Sequence, residues 1–268
     1  MPNLPTLAYS LAMKTVKNKT KPKFTTKHEG HKNLVLYGRH AVEAALKNKF
    51  REKTCLYATE KALSALAKHI TIPKDLRVDK SAPDAIDKLV GGGVPHQGIA
   101  LAVRPLPATH IDEFAPISGQ KNILVVLDQV TDPQNVGAII RSSIAFGARA
   151  LITTDRNAPP ESGALAKAAS GGLETLPWVR VANLNRALEE IAELGYWRVG
   201  LTGEAESTLA DTDAGDNVAL VLGSEGSGIR QGVEKSCDFL AKLPISDAVE
   251  SLNVSVATSV ALYEMVRG

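Results

Sequence analysis

From Leu34 onward the apolar positions of this chain alternate between two patterns, short unbroken runs and stripes at helical spacing. Runs at 34–37, 54–58, 76–78 and 99–103 read as strands. Between them, 41–49, 61–69 and 82–89 carry helical periodicity, with Val42, Ala45 and Leu46 on one face. This alternation predicts a small α/β domain over 33–104. Arg104-Pro105-Leu106-Pro107 interrupts it, and two prolines around one residue favour an extended connector, so 105–120 reads as a linker. A second alternation fills 121–268. Strands are expected at 123–127, 150–153, 197–201, 218–222 and 240–243, and helices at 135–146, 163–170, 184–194, 229–236 and 252–266. The strand runs are apolar without a period of two, as strands covered on both faces are, which points to a doubly wound parallel sheet.

Three polar segments follow such runs directly: Asp128-Gln129-Val130-Thr131-Asp132-Pro133-Gln134-Asn135, Gly223-Ser224-Glu225-Gly226-Ser227-Gly228, and Pro244-Ile245-Ser246 leading to Ser251-Leu252-Asn253. In parallel sheets ligands gather beyond the carboxyl ends of strands, so three such loops suggest one composite site. Asp132-Pro133 suits a helix start, and Gln134 and Arg141, seven apart, then share a face. Arg141 needs an acceptor, either in a site or in a surface ion pair. Asn135 is a site residue or a cap, and Glu225 a site residue or an acid favouring the helix that begins near Ile229. The glycine segment is neither a dinucleotide fingerprint nor a P-loop, but its glycines let backbone approach a ligand. Leu243, Ile245 and Leu252 read as core by pattern. Capping explains one of Ser251, Asn253 and Ser255, not all three.

Composition narrows the setting. With 44% hydrophobic residues the chain can build packed cores, and no apolar stretch nears the ~20 residues that cross a bilayer. Cys55 and Cys237 stand far apart without CxxC or His-rich spacing, so a cytoplasmic protein without a metal site or membrane contact is expected. The net charge of +2 conceals an asymmetry: residues 1–54 hold twelve Lys or Arg against three Glu. Residues 1–32 read as a disordered basic extension, suited to phosphate contacts. A solvated tail and an organelle transit segment are the alternatives, the latter weakened by the lack of arginine.

Leu127 to Gly137 continuing through Ile140-Arg141-Ser142, the glycine segment, and Leu243 to Ser255 together resemble the three motifs of the SpoU branch of the SPOUT RNA methyltransferases. Upstream, Tyr37-Gly38-Arg39-His40 and His96-Gln97-Gly98 are similar to the RNA-binding domain of the RlmB-type members. The resemblance implies a trefoil-knotted parallel sheet over 121–268, homodimerisation, and transfer of a methyl group from S-adenosylmethionine to a ribose 2′-hydroxyl of RNA without a metal. A guanosine of 23S ribosomal RNA is the substrate implied. It makes Arg141 the catalytic arginine, with Asn135, Glu225, Ser251 and Asn253 beside it. Gly223 then meets the cofactor through its backbone, and Leu243, Ile245 and Leu252 wall the adenine. Arg39 and His40 become plausible RNA contacts. A transfer RNA methyltransferase of the TrmH type and a non-catalytic ribosome-assembly factor remain the alternatives.

Overall fold

A computed structural model describes residues 34–267, so the expectation for 1–32 lies outside the described residues. The chain forms two compact units. One ends at Pro107 and takes in Pro160–Thr175; the other comprises Ala108–Pro159 and the described residues from Leu176 onward.

In the first unit, β1 (Leu34–Tyr37), α1 (Arg39–Lys47), β2 (Lys53–Ala58), α2 (Glu60–Ala67), β3 (Arg77–Lys80), α3 (Pro83–Val90) and β4 (Ile99–Val103) alternate as expected. The sheet order is β1-β4-β2-β3, with β4 antiparallel to both neighbours and β3 parallel to β2. Every residue of β4 is buried, which its unbroken Ile-Ala-Leu-Ala-Val run demands. Thr59 caps α2 by accepting from the Ala62 amide, and Gly91, at φ 102°, ends α3 in the left-handed conformation.

Residues 163–170, expected within the second domain, group by their contacts with the first unit. Helix α5 (Gly163–Ala168) and the turn Gly172–Glu174 pack in the first unit. Gly163 is what permits this, since a Cβ there would stand 2.4 Å from Tyr37 Cε1 and 2.5 Å from the Val35 carbonyl. The buried Arg51 guanidinium pairs with Glu174 at 2.7 Å and Glu161 at 2.9 Å, and donates to the Arg104 carbonyl at 2.8 Å. A buried cation persists only when so compensated. One glycine and one ion-pair hub leave no periodic trace in sequence.

The linker expectation is corrected in its second half. Ile111–Phe114 is a 3₁₀ turn in the second unit whose Ile111 and Phe114 are buried in its core. There β5 (Asn122–Leu127), β6 (Ala150–Thr154), β7 (Trp178–Val181), β8 (Trp197–Leu201), β9 (Asn217–Leu222) and β10 (Phe239–Ala241) pair in the order β10-β8-β9-β5-β6-β7, all parallel. The parallel sheet was legible; β7, an edge strand reading Trp-Val-Arg-Val, was not. Leu127, Leu222, Leu201 and Ala241 stand in register across four strands, so the loops that follow three of them leave one edge together. Besides α6 (Leu184–Glu193) and the short α7 (Gln231–Glu234), two 13-residue helices follow the first and third polar loops: α4 (Pro133–Ala145) and α8 (Val254–Val266). They run side by side and parallel. Asn135 meets Asn253 at their starts, Ser142 Oγ lies 2.7 Å from Ser259 Oγ midway, and Phe146 meets Tyr263 edge-on near their ends.

Candidate active site at the carboxyl edge of the parallel sheet

Local chemistry sets the start of each helix at this edge. Asp132 accepts from the Gln134 amide at 3.0 Å and Pro133 takes the first turn, so α4 is capped without Asn135. The Asn253 carbonyl oxygen caps α8, accepting from the Ser255 and Val256 amides and from the Ser255 hydroxyl at 2.6 Å. Ser255 thus supports Asn253. The carboxamide nitrogen of Asn253 stays available and turns toward the first loop.

There three side chains meet. Asn135 Nδ2 donates to Glu225 Oε1 at 2.9 Å, and Asn253 Nδ2 donates to both Asn135 Oδ1, at 3.0 Å, and Glu225 Oε1. The Val254 amide, first of α8, also donates to Glu225 Oε1 at 3.3 Å. Glu225 therefore favours α8 rather than the helix after Ile229, whose start at Arg230 has no side-chain cap. All the bonds to this carboxylate fall on Oε1. Among the described residues Oε2 has no partner and Glu225 no ion pair, although the residue is exposed. The cluster thus offers one open carboxylate oxygen at the starts of two parallel helices.

The glycine loop is shaped by backbone. Ser224 and Gly228 exchange N–H···O bonds at 3.2 and 3.0 Å, closing the loop on itself. At Gly223 a Cβ would lie 1.9 Å from the Gly228 carbonyl carbon and 2.2 Å from the Ile229 nitrogen, so only glycine fits. Leu243 and Leu252 are half-buried and Ile245 is 40% exposed, leaving apolar surface open on the third segment. Ser251 is exposed and, among the described residues, makes no hydrogen bond.

The structure does not bring Arg141 into this cluster. It lies six residues beyond Asn135 on α4, hence roughly 9 Å along the axis and about 120° around it. It is exposed and has no acceptor among the described residues, so the surface ion pair that would explain it is absent there too. In the first unit Arg39 and His40 open α1 and are exposed, with Arg39 Nε bonded to Glu43 at 2.7 Å.

Sequence reasoning missed Asp128 and Arg230. Asp128, directly after β5, is fully buried, and Arg230 Nε and Nη2 reach its Oδ1 at 2.8 and 2.7 Å. The signal was an acid closing an apolar run, which cannot be buried without a cation.

Comparison with known proteins places these features in context. Residues 122–263 match the family described as SpoU rRNA Methylase, and 35–109 match that described as RNA 2′-O ribose methyltransferase substrate binding. The 23S rRNA (guanosine-2′-O-)-methyltransferase RlmB of Pseudomonas aeruginosa is 37% identical over 242 residues, covering 87% of this chain and 95% of that protein. Its counterpart from Xylella fastidiosa strain Temecula1 is 41% identical over 197 residues, 72% and 79% of the two chains. In fold, the chain is similar to the SpoU methyltransferase AviRb of Streptomyces viridochromogenes, solved in complex with AdoMet, with a TM-score of 0.74 at 22% identity over 100% of this chain and 98% of that one.

Proposed function

The chain belongs to the SpoU rRNA methylase family, and we propose that it transfers the methyl group of S-adenosylmethionine to the ribose 2′-hydroxyl of a guanosine in 23S ribosomal RNA, in the cytoplasm. The observation that carries this reading is the meeting of Asn135, Glu225 and Asn253, from three separate loops, at one sheet edge.

The residues present fit the cofactor chemically. Glu225 keeps one carboxylate oxygen without a cationic partner among the described residues, and the third segment leaves Ile245 exposed and Leu243 and Leu252 half-buried, side chains of the kind that accept a purine. Gly223 and its loop would hold the adenosyl part through main-chain groups, with Leu243, Ile245 and Leu252 as walls. When bound, the group supplies an activated methyl on a sulfonium. What remains for the protein is to hold a hydroxyl oxygen in line and to stabilise its developing negative charge. Asn135 and Asn253, fixed through Glu225, orient the ribose, and Ser251 stands free to join them. A guanidinium offers a fork of N–H donors and no acceptor, so the part of Arg141 is to pair a substrate phosphate and the 2′-oxygen rather than to take a proton.

Arg141 performs this at the cluster of a second copy. The observation favouring a homodimer is an apolar stripe along α8: Val256, Val260, Tyr263 and Val266 are all at least 39% exposed and recur at helical spacing. Such a stripe is the mark of an interface. With the family comes the threaded path, in which the segment after β10 passes through a loop to form the trefoil knot. Arg39 and His40 in the first unit contact the RNA.

The deciding experiment incubates the protein and labelled S-adenosylmethionine with total RNA from a strain lacking it, then maps the modified ribose by primer-extension stops. One labelled guanosine in 23S rRNA is expected. Cofactor binding without methyl transfer to any RNA would refute catalysis, and label in transfer RNA alone would refute the substrate.

A further inference from the structure

One ion pair, a buried carboxylate with a half-exposed guanidinium, joins two of the segments that build the proposed site. Asp128 extends the β5–β9 ladder by one step, donating its amide to the Leu222 carbonyl at 2.8 Å, and is wholly buried. Its carboxylate receives three donors of Arg230: the backbone amide at 2.9 Å to Oδ2, Nε at 2.8 and 3.1 Å, and Nη2 at 2.7 Å. Arg230 is the residue at which the glycine loop ends. Its side chain is 49% exposed while its partner is 0% exposed, so the pair sits at the rim of the site rather than in a core. Immediately after Asp128, Gln129 adopts φ 59° although it is not glycine, and Val130 is again buried. A non-glycine residue held in that region is strained unless its surroundings fix it. Here the fixed point is the anchored carboxylate.

The pair joins the glycine loop, which carries Glu225, to the segment leading into α4, whose first turn carries Asn135, and these two side chains touch at 2.9 Å. We propose that Asp128 and Arg230 are positioning residues: a clamp that holds the glycine loop against the β5–α4 loop and so sets the width of the S-adenosylmethionine site. The fork of a guanidinium bonded through both Nε and Nη2 fixes direction as well as distance, which an ammonium cannot do. The proposal rests on the reading that the glycine loop holds the cofactor.

Arg230→Met, Arg230→Lys and Asp128→Asn test it in the full-length protein, with S-adenosylmethionine affinity measured by calorimetry and turnover measured at saturating cofactor. Arg230→Met and Asp128→Asn are expected to weaken cofactor binding and raise its KM by about tenfold or more, while kcat changes by less than about threefold. Arg230→Lys should fall between wild type and Arg230→Met. Loss confined to thermal stability, with affinity unchanged at 25 °C, overturns the clamp. Should Asp128→Asn fail to fold, the half-exposed Arg230 variants decide alone. Hydrogen exchange of the amides from Ser224 to Ile229 separates the two readings: if wild type binds no S-adenosylmethionine, the site assignment fails, while faster exchange in Arg230→Met still supports the clamp and unchanged exchange refutes it.

Discussion

Replacing Gly223 by alanine tests whether the loop's closed shape is what the cofactor needs. The added Cβ would meet the Gly228 carbonyl carbon at 1.9 Å, its oxygen at 2.1 Å and the Ile229 nitrogen at 2.2 Å. All three are backbone, so no side chain can swing away. The loop must retreat to at least 3.0 Å, and the Ser224–Gly228 bonds at 3.2 and 3.0 Å stretch with it. Overpacking of this kind costs about 1–3 kcal/mol, and each lost bond roughly 0.5–1.5 kcal/mol. Opening the loop is the cheapest relief, since β9 behind it stays paired on both sides. With the cost held to about 1–3 kcal/mol, the melting temperature should fall by roughly 2–12 °C, at roughly 2–4 °C per kcal/mol for a protein near this size. Binding must then reclose the loop, so S-adenosylmethionine affinity should drop about tenfold or more, since ~1.4 kcal/mol is a factor of ten. Calorimetric titration beside thermal unfolding reads both. Gly147→Ala is the control: φ 76° with open space where the Cβ would go predicts a modest stability loss and unaltered affinity. A folded Gly223→Ala variant that binds the cofactor as wild type does would refute the assignment of this loop.

Four further outcomes are expected. Arg141→Lys should lose methyl transfer by about a hundredfold or more, because the forked pairing is gone, while cofactor affinity by titration stays as in wild type. Arg51→Ala leaves Glu174 and Glu161 without their shared buried cation, and denaturant unfolding should show a loss of about 3–5 kcal/mol. The hydrogen-bonded Arg198 guanidinium holds the Asp238 carboxyl below its usual range. That contribution is complete above the unfolded value near ~3.9 and is lost as pH falls through the lower folded value; in Asp238→Asn the acid limb of a stability–pH curve should flatten. Val260→Asp, on the exposed stripe of α8, should convert a dimer to monomer by light scattering without unfolding it.

How far the sequence could be read depends on what each feature leaves in it. Unbroken runs such as Ile99–Val103 and Asn122–Leu127 announce buried strands because burial on both faces admits no polar residue. The segments after Leu127, Leu222 and Leu243 could be grouped because parallel strands share an edge, and the register shows the three strands ending level at Leu127, Leu222 and Ala241. Whether Asn135 and Asn253 are caps is decided only in the structure, where Asp132 caps α4 in place of Asn135, and Asn253 caps α8 through its side-chain oxygen while its nitrogen joins the cluster. The packing of residues 160–175 with the first unit was not legible, because it depends on Gly163 fitting Tyr37 and on Arg51 finding Glu174, pairings 126 and 123 positions apart. Such contacts have no period. Asp128 was overlooked for a different reason: it looked like the polar end of a strand, and only full burial shows that it must be paired.

The position of Arg141 and the bareness of α8 are best explained together. Within one chain, Arg141, the arginine to which the proposed reading gives the 2′-oxygen, lies about 120° around α4 from Asn135, without an acceptor among the described residues. Beside it runs a parallel helix apolar on two faces. Val254, Thr258, Ala261 and Leu262 bury one face, while Val256, Val260, Tyr263 and Val266 leave the other open to water. A helix apolar on both faces is stable only when both are covered. On the proposed reading a second copy covers the stripe and, by the symmetry of a two-fold pair, brings each Arg141 toward the other copy's loops. The arrangement makes catalysis concentration-dependent: diluting the enzyme below its dimer dissociation constant should abolish turnover while each monomer keeps its Asn135–Glu225–Asn253 cluster. Mixing Arg141→Lys with Asn253→Ala, each inactive alone, should restore activity in the heterodimer that carries one intact composite site. If the mixture stays inactive although subunits exchange, Arg141 acts within its own chain and α4 must turn to deliver it.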